Sequence, residues 1–203
     1  PDLVWVKERS QANDHVLIDS VRGISQRLES NNTDAEVTMS PVNLITSIDA
    51  DGFSLGSNTN ANENGQTYVG WCWDAGDSTV SNTDGSITSS VRANPAYGFS
   101  IVSYTGTGAA ATVGHGLGVA PNFWIFKRRD GVIDWEANND PNSSMYLNDT
   151  DAQTSDSGRY TMTSSTLGLN AGYGLSNVSG ASYIAYCFAD IAGYSKFGSY
   201  TGT

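Results

Sequence analysis

The feature that most constrains this chain is that it contains its own second copy. Pro1-Asp2-Leu3-Val4-Trp5-Val6-Lys7-Glu8-Arg9 aligns with Pro121-Asn122-Phe123-Trp124-Ile125-Phe126-Lys127-Arg128-Arg129 at an offset of 120. Thr33-Asp34-Ala35-Glu36 aligns with Thr150-Asp151-Ala152-Gln153 at 117, and Tyr68-Val69-Gly70-Trp71-Cys72-Trp73 with Tyr183-Ile184-Ala185-Tyr186-Cys187-Phe188 at 115. A smoothly drifting offset is what two diverging copies leave when residues are lost from polar loops. Whatever one half folds into, the other is expected to fold into as well.

A further repeat has different boundaries. Ser103-Tyr104-Thr105-Gly106-Thr107 recurs as Ser199-Tyr200-Thr201-Gly202-Thr203, each behind a glycine–aromatic pair, Gly98-Phe99 and Gly193-Tyr194. In the second copy this segment precedes Pro121, whereas nothing corresponding precedes Pro1. The first copy is therefore expected to lack its opening strand. Either the chain is cut from a longer tandem array, or the strand around 194–203 of one molecule completes the first module of the next by strand addition.

The local pattern is that of β-structure: short runs rich in Val, Ile, Trp, Tyr, Phe and Thr, separated by Gly, Asn, Asp and Ser. Strands are expected at 3–7, 45–48, 53–55, 67–73, 99–104, 122–127, 160–162, 167–169, 182–188 and 194–200, with turns at Asp51-Gly52, Asn64-Gly65, Asp84-Gly85 and Asp130-Gly131. Leu17, Val21, Ile24 and Leu28 repeat at helical spacing, so a short helix over 16–29 competes there, interrupted by Gly23. Alternation places Val69, Trp71 and Trp73 on one face, as it does Ile184, Tyr186 and Phe188, with mostly small residues on the other. Cys72 and Cys187 lie in these runs and read as buried thiols; a disulfide would need their α-carbons within about 7 Å.

These observations predict an all-β fold of two tandem related antiparallel β-sandwich modules, jelly-roll-like in type. Residues 1–76 form the first module, 77–97 a polar insertion or linker, and 98–203 the second, with strand 194–203 free to pair with a neighbouring module or subunit. Tyr194, Phe197, Tyr200 and Thr201 are the assembly residues.

Twenty-one acidic against 10 basic residues give a net charge of −11, which argues against nucleic-acid phosphates or an anionic bilayer as partner. No apolar run reaches membrane-span length, and no basic leader is visible ahead of Leu3. Asp134, Glu136 and Asp140 are the best carboxylates for hydrolysis, but they read as loop carboxylates. His115, between glycines, reads as a turn residue, and His15 has Asp14 beside it but no nucleophile in a recognisable motif. No catalytic residue is assigned. Asp49 and Asp51, Asp34 and Asp151 offer the hard oxygens that Ca²⁺ prefers. Trp135, Tyr160 and Tyr173 lie in or beside polar loops and are candidates for stacking on a sugar.

Val113-Gly114-His115-Gly116-Leu117-Gly118-Val119-Ala120-Pro121, the strand that follows to Lys127, the aromatic run through Cys187 and Gly193–Gly202 resemble a repeat domain of marine bacteriophage proteins. That domain recurs in tail-fibre-like and virion structural proteins of phages of cyanobacteria and other ocean bacteria. The resemblance implies an extracellular virion or filament part built of β-sandwich modules. The expected function is a non-enzymatic structural protein of a phage fibre, virion decoration or filament, pairing with further copies of itself. The alternative is a carbohydrate-binding adhesin domain that recognises host surface glycans.

Overall fold

The computed structural model describes residues 1–40 and 44–203. The first half carries β1 (Leu3–Glu8), β2 (Val16–Asp19), β3 (Gln26–Arg27), β4 (Val37–Thr38), β5 (Ile45–Asp49), β6 (Gly52–Leu55), the single turn α1 (Thr59–Asn62) and β7 (Tyr68–Trp73). The remainder carries β8 (Val80–Asn82), β9 (Ser89–Asn94), β10 (Phe99–Thr105), β11 (Ala111–Gly114), β12 (Phe123–Arg128), β13 (Glu136–Asn138), β14 (Ser143–Ser144), β15 (Thr154–Ser155), β16 (Tyr160–Met162), β17 (Thr166–Leu169) and β18 (Ser182–Phe188). The protein is all-β, and the ladders joining these strands are antiparallel.

Two sheets form the centre, one in the order β2-β1-β7 and the other β13-β12-β18-β10-β9-β8. Alternation turns Leu3 and Trp5 to one face of β1 and Val4 and Val6 to the other. Leu3, Leu17, Trp5 and Trp73 meet Phe99, Ile101, Ile125, Tyr186 and Phe188 in a core shared by both sheets. Trp73 lies 6.2 Å from Phe99 and 6.0 Å from Phe188. On the far side of the six-stranded sheet, Trp124, Phe126 and Tyr183 pack under Tyr160, Leu167 and Leu169 of the β16–β17 hairpin. On the far side of the three-stranded sheet, Val4, Val6 and Ile18 pack under Ile45 and Phe53 of the β5–β6 hairpin. The sequence-equivalent faces of β1 and β12 thus meet each other, and a hairpin covers each outer face.

The duplication extends to single hydrogen bonds. The Tyr68 hydroxyl donates to Thr59 O and accepts from Glu63 N; the Tyr183 hydroxyl, 115 residues on, donates to Gly174 O and accepts from Val178 N. His15 N donates to Asn31 Oδ1 at 2.8 Å, and Trp135 N to Asn148 Oδ1 at 2.7 Å. The pairs Gln26–Thr38 and Arg27–Val37 recur as Ser143–Ser155 and Ser144–Thr154. In each tyrosine and asparagine case a side chain satisfies a turn N–H that the strand ladders leave without a backbone partner.

Three expectations are corrected. The helical spacing over 16–29 yields β2 and β3, because Val16–Asp19 completes the ladder to β1. Asp19 Oδ1 then accepts from Val21 N and Arg22 N, and Gly23 turns the chain at φ +91°. The polar segment 77–97 supplies β8 and β9 to the six-stranded sheet, with Val91 buried against Val102. Residues 194–200 form no strand ladder. Gly193, at φ +77°, reverses the chain so that Ile191 bridges Ser195, and Phe197 stacks on Phe123 at 5.7 Å.

Candidate assembly edge

β18 and β7 carry equivalent sequences but occupy different environments. β18 lies between β12 and β10, with Tyr186 1% exposed and Cys187 fully buried. β7 pairs, among the described residues, with β1 only; Trp71, the counterpart of Tyr186, is 42% exposed, and Cys72 is exposed rather than buried as its sequence context predicts. On β18 the corresponding side is occupied by β10.

Arg9 N donates to Thr67 O at 2.8 Å, so Thr67 and, by alternation, Val69 and Trp71 direct their backbone groups toward β1. Tyr68, Gly70 and Cys72 direct theirs outward. The strand contains neither Lys nor Pro, the residues that usually blunt an edge against pairing. Trp5 supports it from within the sheet, 5.8 Å from Trp71 and 6.4 Å from Trp73.

A buried ionic network fixes this sheet to its neighbour. The Arg22 guanidinium bonds Asp19 Oδ2 at 2.5 Å, Glu36 Oε2 at 2.9 Å and Leu17 O at 3.1 Å, and donates to the Tyr186 hydroxyl of β18 at 3.2 Å. That hydroxyl donates onward to Asp19 Oδ2 at 2.8 Å. Glu36 also pairs with Arg129 at 2.7 Å. Burial works against the charge on Arg22, but Asp19, Tyr186 and Glu36 outweigh it and hold the guanidinium above its ordinary pKa. The sequence does not reveal this network, because loop charges read as solvated and Tyr186 and Arg129 lie more than 90 residues from Glu36 or Arg22.

Glu136 is buried and accepts from Ser144 Oγ at 3.3 Å, from Arg159 at 3.4 Å and from the Tyr160 hydroxyl. Burial raises its pKa against the opposing pull of Tyr160 and Arg159. These partners occupy its oxygens, and Asp134 and Asp140 instead bond Asn148 and Asn142 in their turns. His115, fully buried, bonds Thr163 O through Nε2 and accepts from Leu117 N, pinning the turn ahead of β12. His15 Nδ1 accepts from Trp5 Nε1.

Trp135 and Tyr160 are in the core, 0% and 3% exposed, with Trp135 Nε1 donating to Glu29 O at 2.9 Å. This corrects the expectation that they form a sugar platform: Trp135 shares its sheet face with Ala137 and turns inward despite its acidic neighbours. Tyr173 is half-buried beneath the Arg159 guanidinium, 4.3 Å from its ring. The fold does not gather Asp49, Asp51, Asp34 and Asp151 into one cation site, and no metal-holding cluster occurs among the described residues. Asp49 instead accepts from Ser47 and Ser54 across the β5–β6 turn. A cleft of about 430 Å³ is lined by Asp2, Ser20, Asp49, Asp74, Asp77 and Arg92. Tyr194 is exposed and packs on Tyr97 at 5.4 Å, Phe197 is covered by Phe123 and Phe188, and Tyr200 and Thr201 are exposed, Tyr200 at 95%.

Two predictions follow from the buried and exposed groups. Both cysteines are free thiols, and burial pushes the Cys187 pKa up to about 12. A thiol reagent is therefore expected to label Cys72 alone in the folded chain and both cysteines in denaturant, as counted by intact-mass spectrometry. Lys127 is fully buried and donates to Thr33 O at 2.9 Å and Ile133 O at 2.5 Å. Burial lowers its pKa from 10.5 to about 8, against the pull of Asp134 and Asp34. Between those values the unfolded chain holds a proton that the folded chain has released, so this group makes stability rise with pH, by up to about 3 kcal/mol. Urea melts between pH 8 and 10 are expected to show that rise in the parent chain and to lose it in Lys127→Met.

No curated protein and no solved structure matches this chain. A family model described as a domain of unknown function (DUF7483) matches residues 1–203, so this all-β chain belongs to the DUF7483 family.

Proposed function

We propose that the chain is a non-enzymatic structural protein of two tandem, related β-sandwich modules that assembles through strand pairing at the outer edge of β7, as part of a phage fibre, a virion decoration or an extracellular filament. The observation that carries this reading is the contrast between β18, buried between two strands, and β7, which has the same pattern and one open side. A long apolar edge strand without a blunting residue is unusual unless another strand covers it. The acidic surface supports solubility of such an assembly. The phage setting rests on the sequence resemblance alone. The glycan-binding alternative loses its platform with the burial of Trp135 and Tyr160. Sedimentation velocity over a concentration series, with electron microscopy of the product, tests the proposal. Concentration-dependent growth into dimers and longer species is expected, and a chain that stays monomeric throughout overturns the reading.

A further inference from the structure

The second half shows how its own opening segment is held. Ser103 and Tyr104 of β10 face Ile184 and Tyr183 of β18, and the Tyr104 ring stacks on Tyr183 at 5.3 Å and 17°. The Tyr104 hydroxyl donates to Ser176 O at 2.8 Å. Gly106 N donates to Ala181 O and Gly106 O accepts from Gly180 N, both at 2.9 Å, while Thr107 N donates to Asn177 Oδ1 at 2.9 Å. A Cβ on Gly106 would lie 2.4 Å from Val178 O, so only glycine fits there.

The first half repeats the receiving side 115 residues earlier. Tyr183, Asn177 and Gly180 correspond to Tyr68, Asn62 and Gly65. Tyr68 is held by the same two hydroxyl bonds as Tyr183. Gly65 is left-handed at φ +81°, as Gly180 is at +75°. Asn62 Nδ2 donates to Gly56 O, one residue from the position equivalent to Asn170, whose carbonyl accepts from Asn177 Nδ2. The receiving groups are in place, and the segment with the matching sequence is Ser199-Tyr200-Thr201-Gly202-Thr203, which in this fold is exposed.

We infer that Ser199–Thr203 of a second copy of this chain docks along β7 in one fixed register, with Ser199 opposite Val69, Tyr200 stacked on Tyr68, and Gly202 bonded to the Gly65–Gln66 backbone. This rests on the assembly reading above and names its partner and register. Tyr200 reaches Ala61 O as Tyr104 reaches Ser176 O, and Gly202 meets the same glycine-only constraint at Glu63 O. Because each copy carries one receiving edge and one donor segment, the contact is head-to-tail and extends into chains or rings.

The test uses the 203-residue chain with Cys72 replaced by serine. Val69→Cys and Ser199→Cys chains are mixed under mild oxidation. Directly opposed residues of a non-hydrogen-bonded pair sit about 4.5 Å apart, within disulfide reach, so a mixed disulfide dimer is expected that neither variant forms alone. Gly202→Val is the complementary test, since nothing lies within 4 Å of a Cβ there in the free chain; folding is unchanged and self-association weakens about tenfold or more. A synthetic peptide of residues 193–203 in excess blocks association of the parent chain. Self-association without the 69–199 disulfide and unaffected by Gly202→Val overturns this inference while leaving the assembly reading standing. A chain that remains monomeric and does not bind the peptide overturns both.

Discussion

Replacing Arg22 with alanine is expected to lower the folding stability by about 3–5 kcal/mol, because Asp19, itself fully buried, and Glu36 would then face each other without their shared cation. The loss has a second, smaller component: Gln26 O loses its guanidinium donor, and Leu17 O loses one of two donors while keeping Leu28 N. Urea denaturation of the parent and variant chains measures the effect as a shift in midpoint. Arg128→Ala is the internal control. Its partner Asp130 is 42% exposed and Arg128 itself 28%, so that pair contributes at most about 1 kcal/mol. Equal losses in the two variants would remove the buried network as the link between the central sheets.

Trp135→Ala is expected to cost about 3–5 kcal/mol. The side chain is fully buried in the core between the sheets, its Nε1 holds Glu29 O, and Lys127 Nζ lies 5.8 Å from its ring. Trp135→Phe keeps most of the packing and loses the hydrogen bond, so a smaller loss is expected. A surface platform for sugar would give the opposite pattern, with stability unchanged in both variants, and thermal unfolding separates the two outcomes.

Much of the fold is legible in the sequence because the duplication supplies two readings of each element. The offsets of 120, 117 and 115 locate β1 with β12, β4 with β15, and β7 with β18, and nine of the ten expected strand positions coincide with observed strands. The tenth, at 194–200, resembles β10 in sequence, but β-propensity expresses itself only where a neighbouring strand takes up the hydrogen bonds. Cys72 shows the same limit from the other side. Its alternation pattern matches that of buried Cys187, but β7 lies at the edge of its sheet whereas β18 is flanked on both sides. The ionic network was illegible for a different reason: Arg22, Glu36, Arg129 and Tyr186 are brought together by the face-to-face contact of the sheets, which no local spacing encodes. Trp135 could have been found from its alternation with Ala137, with which it shares the core face.

Face-to-face packing of equivalent strands has a consequence for how the chain reaches its native state. β1 waits for β7 across roughly 65 residues, and β10 for β18 across more than 80, so the central pairings are non-local and form slowly. β7 precedes β18 in the chain, and the two strands carry similar sequences against which β12 could pair. Size provides the discrimination. Trp124 and Phe126 stand where the first half has Val4 and Val6, and Ala185 where it has Gly70, so a crossed pairing would leave the core of one half overfilled and the other hollow. Variants that make the halves more alike at these positions are therefore expected to refold with more domain-swapped by-product.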